Sequence, residues 1–233
     1  MPAPDWTCPG CREQYAAAIV AVAGRCPVCR EASAPLDERR LRGARVAAEP
    51  STFFAAVEIP ARFRAFTSRD DWSAHFRRDV PDRCGAAPWA GDQLFLWGPT
   101  GTGKTGLAVV LLLERGQLGD RCWFVSSAAF LERLQREFDE PHRRIFARAT
   151  AVESLVIDDL FANRGPVDQR PTAWQVSVLG DLIAARWQAK LRTIITSNWS
   201  PGDLAKVAPS VASRLCEDSA DVSFKGHEDR RLL

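Results

Sequence analysis

The sequence predicts an α/β fold, in which helices cover both faces of a parallel β-sheet. Short uninterrupted apolar runs alternate along the chain with longer amphipathic segments. Apolar runs without polar alternation are typical of strands that are buried on both faces, and their alternation with helices is typical of a parallel sheet. With 233 residues and 46% hydrophobic content, the chain can form one medium-sized domain and one small module.

Five segments are predicted as strands, four of them apolar runs and the last an alternating segment. They are Leu94–Trp97, Cys122–Val125, Leu155–Ile157, Thr193–Thr196 and Ala220–Phe224. Because ligands of parallel sheets bind at the carboxyl ends of the strands, the residues that follow these runs are candidate functional residues.

Three segments between the strands are predicted as helices: Lys104–Arg115, Ser127–Glu140 and Thr172–Ala189. The third begins with a capping box, in which Thr172 and Gln175 satisfy each other's backbone N–H groups. Its apolar face carries Arg186 beside leucines, which predicts a packed face rather than a cofactor site.

Residues 1 to 30 are predicted to form a separate zinc-binding module. Two Cys-x2-Cys pairs, Cys8 with Cys11 and Cys26 with Cys29, are separated by 14 residues. Two such pairs can surround one Zn²⁺ tetrahedrally, and the metal would stabilise a module too small to fold on its apolar content. Disulfides, redox pairs and iron binding are the alternatives. Because all four ligand positions would be filled, we expect the module to bind a partner or nucleic acid rather than to catalyse a reaction.

Residues 31 to 50 have mixed charges and two prolines, which predicts a linker that is partly helical around Asp37–Val46. Residues 51 to 233 are then the larger domain. The sequence contains no apolar run long enough to cross a membrane, and its amino terminus lacks the pattern of a signal peptide, so a cytoplasmic location is expected. The net charge of +2 does not by itself indicate a nucleic-acid partner, and the excess of arginine over lysine is also typical of a genome of skewed base composition.

A glycine-rich loop follows the first predicted strand of the larger domain and opens a helix. Its glycines allow successive backbone N–H groups to point at a triphosphate, which the amino end of the helix also favours. The lysine would contact the β- and γ-phosphates, and the last threonine would place its hydroxyl on Mg²⁺. A chance occurrence of the pattern is the alternative, which the strand-loop-helix context disfavours. The loop is Gly98, Pro99, Thr100, Gly101, Thr102, Gly103, Lys104 and Thr105.

Polar side chains also follow the third and fourth predicted strands. Asp158 is placed to hold Mg²⁺ through water, and Asp159 is placed to orient or deprotonate the attacking water. Asn198 can hold the same water or the γ-phosphate. The alternatives are a strand-terminal turn or a helix cap, in which aspartate and asparagine are common.

Together these segments resemble the Walker A, Walker B and sensor 1 motifs of AAA+ ATPases. Within that superfamily they are most similar to the bacterial helicase loaders of the DnaC and DnaI group and to their relative IstB. The segment Ile59–Phe63 resembles the one near the nucleotide base in that group, and Ser213-Arg214-Leu215 resembles its arginine-finger segment. The chain ends 35 residues after Asn198, without the long helical lid of most AAA+ proteins. Asp159 stands where glutamate is usual, which leaves slow hydrolysis or a switch function open.

The resemblance implies a homo-oligomer in which Arg214 enters the neighbouring active site and Arg230, or alternatively Arg231, senses the nucleotide. It also implies an ATP-dependent helicase loader, with ATP and Mg²⁺ as cofactors and a hexameric replicative DNA helicase and single-stranded DNA as partners. The arginines of residues 127–150 are then expected either to contact that DNA or to form a solvated face. A transposition or phage replication ATPase and an ATP-switched, non-hydrolysing adaptor are the alternative functions. A small-molecule kinase is disfavoured, because it gives the Asp-Asp strand end and Arg214 no obvious role.

Overall fold

The computed structural model describes residues 6–7, 12, 14–15, 27–85, 87, 89–136, 140–161, 170–217 and 219–225. Two short strands, β1 (Trp6–Thr7) and β2 (Gln14–Tyr15), pair antiparallel near the amino terminus. The main sheet consists of five strands: β3 (Gln93–Trp97), β4 (Cys122–Ser126), β5 (Ser154–Asp158), β6 (Arg192–Ser197) and β7 (Ala220–Ser223).

The helices of the described residues both precede the main sheet and connect its strands. Those before the sheet are α1 (Pro27–Ala48), α2 (Pro50–Ala56) and α3 (Arg69–Phe76). The helices that connect its strands are α4 (Lys104–Gln117), α5 (Ser127–Arg136), α6 (Glu140–Ala151), α7 (Ala173–Gln188), α8 (Pro201–Val207) and α9 (Pro209–Glu217).

The five strands of the main sheet lie in the order β4-β5-β6-β3-β7, and every neighbouring pair is parallel. The predicted strands are thus confirmed, each within about one residue of its expected bounds. Because all strands run the same way, their carboxyl ends meet at one edge of the sheet, where the loops after β3, β5 and β6 lie together.

Alternate side chains of the strands pack into two apolar cores, one on each face of the sheet. One core contains Leu94, Leu96 and Val156, together with the buried side of α4. The other contains Phe95, Leu155 and residues of α5, α7 and α9. Both faces are therefore covered, which confirms the predicted α/β class.

The amino end of α7 has the predicted capping box. The Thr172 side chain accepts a hydrogen bond from Gln175 N, and the Gln175 side chain accepts one from Thr172 N. Further along α7, Arg186 is fully buried against the amino-terminal end of β6. Its guanidinium donates to Thr193 Oγ1 at 2.9 Å and to carbonyl oxygens, and burial lowers its pKa to about 10. The carbonyl acceptors belong to Ala149, Val152 and Arg192.

The segment predicted as a partly helical linker is helical almost throughout, because α1 continues to Ala48. It packs closely on the end of α4: a Cβ atom on Gly43 would lie 2.2 Å from the Gln117 carbonyl oxygen. Arg39 forms an ion pair with the buried Asp120 carboxylate, which fastens α1 to the domain. The assignment of residues 1–30 and 51–233 as separate domains stays a prediction.

Of the helix predicted from Ser127 to Glu140, the structure describes α5 over Ser127–Arg136 and α6 from Glu140 onward, and residues 137–139 lie outside the described ranges. Pro141 therefore lies in the first turn of α6, where its missing N–H has no intrahelical partner to lose. None of the helices in the described ranges is both long enough and apolar enough to span a membrane.

Candidate functional site

A cavity of about 530 Å³ lies at the carboxyl edge of the sheet. The glycine-rich loop and the first turn of α4 form its floor, the ends of β5 and β6 form one side, and aromatic residues that precede the sheet form another. The structure thus brings together Lys104, Thr105, Asp158, Asp159 and Asn198, which come from three separate segments of the sequence.

The loop between β3 and α4 has the backbone that its glycines predict. Gly98, Gly101 and Gly103 have φ angles of 142°, 72° and 96°, which residues other than glycine rarely adopt. A Cβ atom on Gly98 would also lie 2.9 Å from the backbone of Phe224. The loop therefore depends on glycine both for its conformation and for its contact with the chain after β7.

Two side chains from outside the loop hold its far end. Trp72 Nε1 donates to the Gly103 carbonyl at 2.9 Å, and Arg78 donates to the Thr102 carbonyl. The Arg78 guanidinium also lies 5.1 Å from the centre of the Phe224 ring. Sequence reasoning missed both residues, because no local pattern marks a contact over 24 or 31 residues.

The Lys104 ammonium group is buried under the loop. Its Nζ donates to the carbonyl oxygens of Gly98 at 2.8 Å and Pro99 at 2.6 Å, and it lies 3.2 Å from Asn198 Oδ1. All three acceptors are neutral oxygens. An anionic oxygen in the cavity would be a stronger acceptor and could replace them as the partner of the Lys104 ammonium group.

Asp158 is buried at the end of β5 and accepts two hydrogen bonds on the same oxygen, Oδ1. The donors are Thr105 Oγ1 and Thr196 Oγ1, each at 2.7 Å. Burial raises the pKa of Asp158, while the two hydroxyl donors and the charge of Arg62 act in the opposite direction. A cation in the cavity would stabilise the charged form of this carboxylate.

Asp159 adopts a left-handed backbone conformation with φ of 61°. Its N–H donates to Thr196 Oγ1 at 2.8 Å, and its carbonyl accepts from Ser127 Oγ at 2.7 Å. Its Oδ1 lies 3.4 Å from Asn198 Nδ2, so these two predicted catalytic side chains are adjacent.

One side of the cavity is aromatic. Phe63, Phe66, His75 and Phe76 line it, and the Arg62 guanidinium lies 4.7 Å from the centre of the Phe63 ring. A flat heteroaromatic base can stack against such rings. The predicted base-side segment does contribute Arg62 and Phe63 to this wall, whereas His75 and Phe76 were not identified from the sequence.

One predicted residue lies away from the cavity of its own chain, and others fall outside the residues that the structure describes. Arg214 is on α9 and donates to the Ser210 carbonyl at 2.9 Å, and it does not line the cavity of its own chain. Arg230 and Arg231 lie outside the described residues.

The zinc prediction also falls largely outside the described part of the chain, which excludes Cys8, Cys11 and Cys26. Cys29 lies in α1, without a description of its side chain. Within the described ranges, no three His, Cys, Asp or Glu side chains are grouped to hold a metal ion. The zinc module therefore stays a prediction.

A second cluster of charges lies beside the base-side segment. Glu58, which has φ of 67°, accepts from Arg133 at 2.6 Å and from Arg148 at 2.9 Å. Partial burial alone would raise the pKa of Glu58, but the two arginines lower it below its ordinary value. Arg148 also lies 4.2 Å from the centre of the Trp123 ring. Two of the arginines predicted either to contact DNA or to form a solvated face are therefore held in ion pairs.

The residues around the cavity fit a nucleoside triphosphate with Mg²⁺. The loop and the amino end of α4 supply backbone N–H donors, Lys104 supplies a positive charge, and the Thr105 hydroxyl and Asp158 carboxylate are hard oxygen ligands. These residues could hold the phosphates and the cation, and Asp159 with Asn198 could orient a water molecule beside them.

A sequence profile of the family described as IstB-like ATP-binding proteins matches residues 89–230, which is more than half of the chain. The matched range begins just before β3 and includes every described candidate residue from Gly98 to Arg214. No curated protein sequence matches the chain at a significant level.

Three solved structures illustrate the similarity. The crystal structure of the DnaC helicase loader is 27% identical, with a TM-score of 0.51, and the match covers 61% of this chain and 83% of that chain. The crystal structure of DnaI is 20% identical, with a TM-score of 0.49, over 68% of this chain and 80% of that one. The replication initiator DnaA bound to AMPPCP and single-stranded DNA is 19% identical over 56% of this chain, with a TM-score of 0.49, and this chain spans 39% of its length.

The profile match coincides with the five-stranded parallel sheet and with the glycine loop at its carboxyl edge. The chain belongs to the family of IstB-like ATP-binding proteins.

Proposed function

We propose that this chain binds ATP with Mg²⁺, hydrolyses it between subunits and uses the cycle to load a replicative DNA helicase. The observation that carries the proposal is the contact of Thr105 with Asp158 directly beside Lys104, with Asp159 and Asn198 next to them. These are the side chains that phosphoryl transfer to water requires, and they converge in one cavity.

In the proposed complex, the triphosphate lies on the backbone N–H groups of residues 98–105. Lys104 leaves the carbonyl oxygens of Gly98 and Pro99 and contacts the β- and γ-phosphates, which are stronger acceptors. Thr105 and Asp158 hold Mg²⁺, directly or through water, and the base stacks on the aromatic wall. When bound there, Mg²⁺ would supply positive charge that offsets the charge developing on the phosphates.

For hydrolysis, we assign Asp159 to orient the attacking water and Asn198 to fix that carboxylate. The finger arginine would be Arg214 of the adjoining subunit, which stabilises charge on the γ-phosphate, and Arg230 would sense the nucleotide. This assignment requires a homo-oligomer, because Arg214 does not line its own cavity. A guanidinium that enters such a site typically accelerates phosphoryl transfer by orders of magnitude.

The proposed client is a hexameric replicative helicase. The similarity to the DnaC helicase loader, which covers most of that protein's length, supports this client over an unrelated one. In this proposal the paired cysteines of residues 1–30 bind Zn²⁺ and present the surface that the helicase contacts, and ATP controls the assembly of the larger domain.

We further propose that single-stranded DNA binds along α5 and α6. Arg133 and Arg148 lie on this surface, and each can exchange its contact with Glu58 for a backbone phosphate. Replacing either one by alanine would then reduce the slope of log affinity against log salt by about 1. Arg83→Ala is the matched control, because Arg83 is an exposed arginine paired with Asp221 beside β7, at the opposite edge of the sheet. Equal slopes for all three variants would refute this DNA surface.

The resemblance to IstB implies a second candidate function, that of a helper ATPase in DNA transposition. The nucleotide chemistry would be the same, and the client would be a transposase on target DNA. An adaptor that binds ATP without hydrolysis differs from both, because Asp159→Asn would then leave its function unchanged.

The deciding experiment measures binding of the full-length protein to a purified replicative helicase and to single-stranded DNA, with ATP, with ADP and without nucleotide. The proposal expects both interactions, each dependent on ATP, and expects Lys104→Ala to abolish the dependence while Lys206→Ala preserves it. Lys206 is an exposed lysine paired with Asp203. Binding to a transposase but not to the helicase would favour the alternative function. Binding that is equally strong with ATP, with ADP and without nucleotide would overturn both the helicase-loader and the transposition proposals.

A further inference from the structure

Thr196 contacts three consecutive residues, the last residue of β5 and the two that follow it. Its hydroxyl donates to Asp158 Oδ1 at 2.7 Å and accepts from Asp159 N at 2.8 Å, and its carbonyl accepts from Leu160 N at 2.7 Å. It lies on β6, only 1% of it is exposed, and it lines the cavity. The pattern that singled out Asn198 two residues later did not identify it.

The direction of the two hydroxyl contacts is fixed by chemistry. The Asp159 N–H can only donate, so Thr196 Oγ1 must use a lone pair there and its single proton remains for the Asp158 carboxylate. One hydroxyl therefore fixes the side chain of Asp158 and the backbone of Asp159 at the same time.

The backbone of Asp159 has an uncommon conformation. Its φ of 61° lies in the left-handed region, which few residues other than glycine, asparagine and aspartate adopt. The hydrogen bonds from Asp159 N to Thr196 and from Ser127 to the Asp159 carbonyl hold the residue in that conformation. This conformation places Asp159 Oδ1 within 3.4 Å of Asn198.

The other donor to Asp158 is Thr105, whose hydroxyl is the one assigned to Mg²⁺ in the proposed function. When Thr105 turns to the cation, Thr196 remains as the hydroxyl donor to Asp158 among those that the structure describes. We infer that Thr196 is a positioning residue, which sets Asp158 and Asp159 relative to each other and so determines the Mg²⁺-dependent part of nucleotide binding and the rate of hydrolysis. The inference rests on the proposed function and concerns the same cavity.

The test uses Thr196→Val, which keeps the shape of the side chain and removes its hydroxyl. ATP affinity is measured with Mg²⁺ and with EDTA, together with kcat and KM for hydrolysis. Mg²⁺ should increase the ATP affinity of wild type by a certain factor, and we expect this factor to be about tenfold smaller for Thr196→Val. The reason is that a buried N–H and a carboxylate oxygen each lose a hydrogen-bond partner. The affinity in EDTA should stay within about twofold of wild type, and kcat should fall by more than KM changes.

Thr193→Val is the matched control, because Thr193 is an equally buried threonine at the opposite end of the same strand. It should lower thermal stability, since Arg186 loses an acceptor, without changing the affinity gained from Mg²⁺. Thr196→Ser should keep most of the affinity gained from Mg²⁺, whereas Thr196→Ala should lose it. This second pair differs only by the hydroxyl, so it decides the matter if the valine variant does not fold.

A Thr196→Ala variant that keeps the full Mg²⁺-dependent gain and the wild-type kcat would overturn the inference and leave the proposed function intact. A wild-type protein whose ATP affinity is the same with Mg²⁺ and with EDTA would instead refute the assignment of Mg²⁺ to Thr105 and Asp158.

Discussion

Lys104 and Asn198 are 94 residues apart in the chain, yet the lysine Nζ lies 3.2 Å from the asparagine Oδ1. The other side of the Asn198 amide faces Asp159 at 3.4 Å, so one side chain connects the candidate phosphate-binding lysine to the candidate catalytic carboxylate. Moving Lys104 toward a phosphate would therefore also release Asn198. Binding of a phosphate to the glycine-rich loop would therefore also affect the positions of Asn198 and Asp159.

Lys104→Ala is expected to weaken ATP binding by about one to two orders of magnitude, because hydrogen bonds to charged groups contribute about 1.5 to 3 kcal/mol each. Isothermal titration calorimetry with ATP and Mg²⁺ measures the change. Lys206→Ala removes the same charge from an exposed ion pair and should leave the affinity unchanged. Equal affinities for wild type and Lys104→Ala would contradict the assignment of the cavity to a triphosphate.

Gly98→Ala should destabilise the protein by about 1 to 3 kcal/mol, because the new Cβ would require both a disfavoured φ and a contact of 2.9 Å with the Phe224 backbone. Backbone atoms cannot move aside as a flexible side chain can. The free energy of unfolding from urea titration measures the effect.

Gly180→Ala, in the middle of α7, is the matched control for that change. Its Cβ would lie 3.4 Å from the Val211 side chain, which is an ordinary contact. Alanine should therefore stabilise the helix by about 0.5 to 1 kcal/mol. If both variants change stability in the same direction, the structural reason given for Gly98 is wrong.

The strands and the glycine-rich loop could be predicted from the sequence because their signals are local. Each strand is a run of adjacent apolar residues, and the loop from Gly98 to Thr105 carries its own glycines, lysine and hydroxyl. Asp158 is predictable for the same reason, since it directly follows the apolar residues of β5. Four strands extend about one residue beyond their predicted bounds, where pairing with a neighbour lengthens them, and β7 ends one residue earlier than predicted, at Ser223.

The helix α1 could not be predicted at its full length, because its sequence has many charges and no continuous apolar stripe. It is stabilised instead by specific contacts with a distant segment, namely the close approach of Gly43 to α4 and the ion pair of Arg39 with Asp120.

The residues that hold the glycine-rich loop in place could not be predicted either, because their contacts are also with distant segments. Trp72 holds the loop from 31 residues away, and nothing in its own neighbourhood indicates that role.

Asp120→Asn should destabilise the protein by about 3 kcal/mol at pH 7, because it removes the charge that pairs with Arg115 in the interior. Burial alone would raise the pKa of Asp120, but Arg115, Ser154 and Arg39 lower it below its ordinary value. A carboxyl group with a lowered pKa contributes stability above its unfolded-state pKa, near 3.9, and loses that contribution as the pH falls through its folded-state pKa.

The difference in unfolding free energy between wild type and Asp120→Asn should therefore shrink as the pH falls below about 4. Urea titrations at several pH values measure it. Asp203→Asn is the control, since that exposed carboxylate pairs with Lys206 at the surface, and its replacement should change the unfolding free energy and its pH dependence much less than Asp120→Asn does. A difference that stays constant from pH 7 to pH 3 would show that Asp120 contributes through packing rather than charge.

Arg214→Ala should abolish most ATP hydrolysis while leaving ATP affinity nearly unchanged, since Arg214 does not line the cavity of its own chain. If it acts on the neighbouring subunit, mixing Arg214→Ala with Asp159→Asn should restore activity. An Arg214→Ala subunit keeps its own Asp159, and an Asp159→Asn neighbour can supply the missing guanidinium. Random mixing of equal amounts in a head-to-tail ring would restore roughly a quarter of the wild-type rate.

The mixing experiment separates the two explanations of Arg214 because they differ in where the arginine is needed. An arginine that only stabilises α9 through its contact with the Ser210 carbonyl would change stability, and its replacement would leave hydrolysis close to wild type. An arginine that acted within its own subunit would give an inactive mixture, because no subunit would then contain both Asp159 and Arg214. Only transfer of the guanidinium between subunits makes two inactive proteins active together, so recovered hydrolysis would establish both the role of Arg214 and the oligomer that it requires.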